Sequence, residues 1–125
     1  MIALIPNLPD HVVGFIASSK VTASDYETVL VPAIEAKIKR YGRVRILYEL
    51  GPAFTGFTPG AMWGDLKLGV AHLKAWEKVA VVTDIAWIAD ATRLFGFAMP
   101  CPVKVFPTEE IAAATNWISD GLAPA

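Results

Sequence analysis

The chain has one cysteine, Cys101, among 125 residues. No internal disulfide can form, which fits a reducing cytosol and excludes a disulfide scaffold. Long apolar runs are also missing: none approaches the ~18 residues that a membrane span requires. The opening MIALIPNLPD has no basic region and breaks at Pro6, so it does not read as a secretory signal. Charge of one sign is nowhere concentrated. Eleven Lys and Arg against twelve Asp and Glu leave a net charge of −1, and the basic residues are scattered. That removes nucleic acid from the expected partners. No glycine fingerprint follows a strand, and GPAFTG lacks the spacing and the lysine of a phosphate loop.

Catalytic and metal constellations are scarce too. His11 and His72 have no cysteine or carboxylate cluster at ligand spacing, so no metal is expected. Both read as polar-face residues. Cys101 lies between Pro100 and Pro102 with no histidine nearby, and reads as a half-buried small apolar residue. Asp84 ends an apolar strand, where open α/β sheets place their ligand crevices. The same position and chemistry serve to cap the next helix, which is the favoured reading. Glu49 has a weaker claim of the same kind, and only a convergence of Glu49 with Asp84 at raised pKa would argue for an enzyme. The expectation is therefore no catalytic residue, no cofactor and no enzymatic activity.

What is abundant is apolar bulk. Hydrophobic residues make up 54% of the chain, above the ~45–50% typical of soluble domains. One domain, 1–125, fits this length. MIALI and VVGFIASSK read as a strand hairpin joined by NLPDH. Thr22 and Asp25 form a capping-box pattern that opens a helix through ASDYETVLVPAIEAKIKRYG. In it Tyr26, Val29, Leu30, Ala33, Ile34 and Ile38 recur at helical spacing, Pro32 predicts a kink, and Gly42 ends it. RVRILYEL is a strand, and Thr58–Pro59 look like the start of a helix running to about Ala75. KVAVVTD is a strand buried on both faces. IAWIADATRLFG is a helix, VKVF a last strand, and Pro107, Thr108 and Glu109 open a final helix. The order ββαβαβαβα predicts an α/β fold: a mostly parallel mixed sheet with an antiparallel first strand and helices on both faces.

One stretch stands out, GPAFTGFTPGAMWGDLKLG at 51–69, with two prolines and five glycines. It reads as a mobile loop leading into a helix. It carries Phe54, Phe57, Met62 and Trp63. Leaving four such side chains in water forgoes an amount comparable with a domain's whole stability of ~5–15 kcal/mol. The next βα unit has a similar surplus. Ile88, Ala91 and Phe95 make one helix face, while Trp87 and Leu94 lie off it, and FGFAMP adds Phe97 and Met99 in a connection.

Taken together, IPNLPDHVVGF, VTASDYETVLVPAIEA, the aromatic Gly/Pro stretch, WEKVAVVTDIAWI and FGFAMPCPVKVF resemble the SpoIIAA-like STAS family of small bacterial proteins, over about residues 1–119. The resemblance implies a STAS fold, and by analogy with CRAL-TRIO lipid-binding domains a mobile hydrophobic site with membrane association. STAS anti-sigma factor antagonists carry a phosphorylatable serine within the window matching FTGFTPGAMWGD. Here that window offers only Thr55 and Thr58 as hydroxyls, so the phospho-switch motif is missing.

The functional expectation is a site for a small apolar or lipid-like ligand built from Phe54, Phe57, Met62, Trp63, Trp87, Leu94 and Phe97. Gly51, Gly56 and Gly60 would act as hinges, and Lys67, Lys74, Lys78 or Arg93 as a rim for an acid head group. A homodimer interface and a tightly packed core remain alternative covers for the same side chains, and a STAS-type module acting on a protein partner is the second functional class. The expected location is the cytoplasm, with peripheral membrane contact.

Overall fold

The computed structural model describes residues 1–60 and 73–120. Five strands lie in sequence order across one sheet: β1 (Ile2–Ile5), β2 (Val12–Val21), β3 (Val44–Phe57), β4 (Trp76–Thr83) and β5 (Val103–Phe106). β1 runs antiparallel to β2, and every later pairing is parallel. The period-2 pattern divides the core. Val13, Phe15, Ile46, Leu50, Val79 and Val81 bury one face. Val12, Leu47, Ala80, Val82 and Phe106 bury the other.

The first face is covered by a helical stretch over 23–41. Thr22 and Asp25 close the expected capping box: the Asp25 amide donates to Thr22 Oγ1 at 3.2 Å and the Thr22 amide to Asp25 Oδ2 at 2.8 Å. After one turn, α1 (Ala23–Asp25), the backbone widens into a π-helical segment, Tyr26–Leu30, before α2 (Val31–Tyr41). Pro32 supplies a physical reason. It has no N–H, and its ring crowds the carbonyl of the preceding turn, so the ladder gives way just upstream. Tyr26, Leu30 and Ile34 are almost fully buried. Gly42 ends the stretch in the left-handed conformation, its amide 2.7 Å from the Ile38 carbonyl.

Helix α3 (Ala86–Ala98) packs on the same face through Ile88, and α4 (Ile111–Ser119) packs on the other face through Ala114 and Ile118. A 3-10 turn, Thr108–Glu110, leads into α4.

Four expectations are corrected. Residues 51–57 are not a loop but the continuation of β3, paired with β2 through Ser19↔Phe54, Lys20↔Gly56 and Val21↔Phe57. The pairing steps from Ala17↔Leu50 to Ser19↔Phe54, so Pro52 falls in the bulge between them, a position where its missing N–H costs no ladder bond. Next, α3 runs through Gly96 to Ala98, so Phe97 lies on a helix and not in a connection. β4 also begins at Trp76, after a 3-10 turn, Leu73–Ala75, where the preceding helix was expected to end. Pro59 and Gly60 are helical, and the helix expected beyond them lies outside the described residues until Leu73. Finally, Asp84 does not cap α3, whose first turn has no side-chain cap at its N-cap residue Ile85. The Thr83 hydroxyl ties the entry to the helix instead, accepting from the Ile85 amide at 3.1 Å and donating to the Leu50 carbonyl at 3.0 Å.

Candidate functional site

The sheet face under α3 is not filled. A cavity of about 290 Å³ lies between that helix and the sheet. Its floor is Tyr48 and Leu50 of β3 with Val79 and Val81 of β4. Trp87, Ala91 and Phe95, one helical face of α3, form a wall with Ile88 and Thr92. Tyr26, at the start of the π-helical segment, and Phe57, the last residue of β3, complete its described lining. The extension of β3 thus matters to the site. Seven more residues of strand carry Phe57 past the end of β4 and up against α3.

The rings interlock. Phe57 meets Trp87 at 6.3 Å with planes at 81°, and Phe54 meets Phe57 at 4.8 Å and 59°. Both fall within the range favoured by aromatic quadrupoles. Phe54 itself is buried in the core and braces Phe57 from behind.

Among the described lining residues, the side-chain polar atoms include the hydroxyls of Tyr26, Tyr48 and Thr92. The phenol oxygens of Tyr26 and Tyr48 stand 3.5 Å apart. The Thr92 hydroxyl donates to the Ile88 carbonyl at 2.7 Å within its own helix. Among the described lining residues there is no lysine, arginine, histidine, aspartate or glutamate.

The expected site residues therefore separate. Phe57 and Trp87 line the cavity together. Phe54 supports it from the core. Leu94 and Phe97 point away from it and are 73% and 90% exposed on the outer side of α3. Met62 and Trp63 lie outside the described residues. Gly56 is paired with Lys20, so a hinge there would have to break the β2–β3 ladder, while Gly51 lies in the bulge between Leu50 and Phe54. Gly56 has φ of 145°, a conformation reserved for glycine. Gly60 lies in a helical turn beside Ala23.

The expected cationic rim is not at this cavity. Lys78 Nζ donates to the Trp117 carbonyl at 3.0 Å and sits over the Trp117 ring, on the opposite face of the sheet. Arg93 pairs with Asp90 at 3.3 Å. Lys74 is exposed and not among the described lining residues, and Lys67 lies outside the described residues.

Tyr26 and Tyr48 are the residues that sequence reasoning missed as a site. Tyr26 reads as ordinary core stripe. Tyr48 did carry a signal: it shares strand parity with Ile46 and Leu50, and a tyrosine aimed at a core needs somewhere polar for its hydroxyl.

The remaining titratable groups have structural work. Asp84 is exposed at the end of β4 and accepts from the amide of Thr108 at 3.0 Å and from its hydroxyl. These bonds hold its carboxyl below the usual range, the opposite of what a proton-donating acid needs. Burial pushes the Cys101 thiol up, away from the reactive thiolate. At the opposite end of the strands, Glu77 joins Arg45, which also donates to the carbonyls of Ile118 and Asp120 at 2.9 and 2.8 Å. Arg43 reaches Glu77 at 3.3 Å and the His11 Nε2 at 2.8 Å. Among the described residues no group of three or more His, Cys, Asp or Glu is placed to hold a metal ion, and no helix is long and apolar enough to cross a membrane.

The architecture defines a class: an α/β domain whose mixed five-stranded sheet has an antiparallel first strand and helices on both faces. Within that class, a SpoIIAA-like family model matches residues 12–119, and the chain belongs to the SpoIIAA-like family. Among solved structures it is similar to an uncharacterized protein of the DUF3478 family with a SpoIIAA-like fold from Shewanella loihica PV-4. The two are 28% identical with a TM-score of 0.75, over 94% of this chain and 92% of that one. No curated protein matches the chain.

Proposed function

We propose that this protein is a non-enzymatic binding protein for a small apolar or lipid-like ligand, held between the β3–β4 face of the sheet and α3. The observation that carries this reading is the cavity of about 290 Å³ walled by Phe57 and Trp87. Interiors normally pack to the density of organic crystals. A closed apolar void of this size would cost ~7 kcal/mol at ~24 cal/mol per Å³. This cavity is partly open, so its cost is a fraction of that, but an apolar guest recovers contacts that water cannot supply.

The test is native mass spectrometry and organic extraction of protein purified from its own host, with liposome flotation alongside. A co-purifying apolar molecule, lost on Phe57→Ala with Trp87→Ala, is the expected result. Clean apo protein that also ignores vesicles overturns the reading.

A second reading has its own observation. Leu94 and Phe97 lie almost fully in water on the outer side of α3, and exposed apolar clusters mark interaction surfaces. On this reading the domain is a regulatory module that docks a protein partner, a second copy of itself or a membrane through α3. A stable complex in pulldown, abolished by Phe97→Ser, supports it, as does phosphate on Thr55 or Thr58.

A further inference from the structure

A second crevice lies on the other side of α3 from the aromatic cavity, and the described linings of the two share no residue. We propose that this crevice is a site for a small molecule that joins a primary ammonium to a short apolar group, the ammonium being received by Asp84 with Asp90 beside it.

Topology opens the crevice. β4 and β5 are parallel neighbours, but the chain leaves them toward opposite faces of the sheet. After β4 it enters α3, which packs on one face through Ile88, and after β5 it leads to α4, which packs on the other through Ala114 and Ile118. Connections that diverge in this way leave a gap beyond the carboxyl ends of the strands, where open α/β sheets bind their ligands. Here the gap measures about 300 Å³, at the small end of the ~300–1,000 Å³ of ligand sites. Asp84 lines it from the end of β4, Val105 and Phe106 from β5, and Ala89, Asp90 and Arg93 from α3. At ~100° per residue, Ala89, Asp90 and Arg93 lie on the side of the helix away from Trp87 and Phe95. Alanine at 86 and 89 leaves the room, and with Val105 gives a guest its apolar contact.

Charge sets the class of guest. Both Asp84 oxygens accept from Thr108, one from its amide at 3.0 Å and one from its hydroxyl. These donors are neutral, so they leave the carboxylate its charge. They also take only two of its roughly four acceptor positions. Asp90 meets Arg93 at 3.3 Å, and both side chains are largely exposed. An exposed pair of this kind contributes little, so little is lost when an incoming charge shares it. On the opposing side stand the Arg93 charge and roughly half a charge at the start of α3. Two carboxylates outweigh these, and Glu109 and Glu110 stand exposed on the turn just after Pro107. The balance favours a cation. An ammonium fits better than a bare metal ion, since among the described residues no three ligands converge.

The experiment is an NMR titration of the ¹⁵N-labelled chain at neutral pH with 3-methylbutylamine, leucine and 4-methylpentanoate. The three share an alkyl group and present a cation, a zwitterion and an anion. The amine should shift the amides of Asp84, Ala89 and Val105, and should bind at least about tenfold more tightly than the pentanoate. Leucine separates two sources of the ammonium: binding as tight as the amine points to an amino acid with its carboxylate on Arg93, and weaker binding to a simple amine. Asp84→Asn keeps an acceptor for the Thr108 amide. Once shown to be folded by its melting curve, it should weaken the amine about tenfold. Arg93→Gln should leave the amine as tight or tighter. Equal or tighter binding of the pentanoate overturns the inference, as does an Asp84→Asn variant that binds the amine unchanged, or an amine that moves none of these amides at millimolar concentration. The aromatic cavity takes no part in these readouts, so failure here leaves the apolar-site reading standing.

Discussion

Phe57 and Trp87 meet in a T-shaped contact, 6.3 Å between ring centres with planes at 81°. One closes the long strand β3 and the other opens helix α3. One ring from each of two consecutive βα units is thereby brought to the same cavity. Trp87 is also a reporter, because it is half exposed at the edge of that cavity. An aromatic guest should shift its emission, and Trp87→Phe should abolish the ligand-dependent part of the signal. Phe57→Ala should weaken any apolar probe by roughly tenfold, at a cost of about 1–2 kcal/mol in stability since the ring is only half-buried. Titration of the two variants and their urea midpoints check this.

Gly51 and Gly56 provide a matched pair within the same strand. Gly56 has φ of 145°, so Gly56→Ala should destabilise by about 1–3 kcal/mol. Gly51 has ordinary φ and open space where a Cβ would stand. Gly51→Ala should be neutral or slightly stabilising, through the unfolded chain. Equal effects from the two would contradict the strand geometry of 51–57.

Gly14 is required for a different reason. A Cβ there would lie 2.6 Å from Leu8 Cδ1 and 2.9 Å from Ile5 Cβ. The turn after β1 folds its apolar side chains directly onto this backbone. Gly14→Ala should cost about 1–3 kcal/mol by overpacking, read as a drop in denaturation midpoint with an unchanged slope.

Acid stability should depend on Glu77. Burial raises its pKa, but the hydrogen bond and charge of Arg45, with the charge of Arg43, outweigh burial and leave it lowered. A carboxylate depressed in the folded state contributes stability that is present above its unfolded pKa and lost as pH falls through the folded value. Unfolding should therefore become easier below about pH 4.5. Asp25, lowered chiefly by the Thr22 amide, adds to the same trend. Glu77→Gln should flatten this acid limb and cost about 1–3 kcal/mol at neutral pH, because the nearly buried Arg45 loses its carboxylate.

Cys101 should react with a disulfide reagent more slowly than a free thiol at the same pH, since burial raises its pKa. Denaturant should restore the normal rate in an Ellman assay.

Much of the fold was legible because it depends on short-range chemistry. The capping box at Thr22 and Asp25 and the stop at Gly42 act within a few residues. The continuous apolar run of β4 announces a strand buried on both faces. Pro32 signalled a disturbance, which the backbone resolved as a π turn. Where the reading failed, longer-range pairing had won. Glycine and proline argue for a loop at 51–57, but the ten residues of β2 offer backbone partners well past the point where β4 ends, and the ladder continues. Asp84 looked like a cap because its chain neighbours allow it, yet a threonine brought up by β5 is the better donor.

By itself, the sequence determined the order of the five strands and of the described helices, the family and the excess of aromatic side chains in two neighbouring βα units, all of which rest on local pattern. Only the tertiary structure decided that Phe57 and Trp87 share a cavity while Leu94 and Phe97 face water, and that Tyr26 and Tyr48 bring their hydroxyls together. Those are facts about which elements the sheet sets side by side, and no local pattern encodes a distance across a sheet.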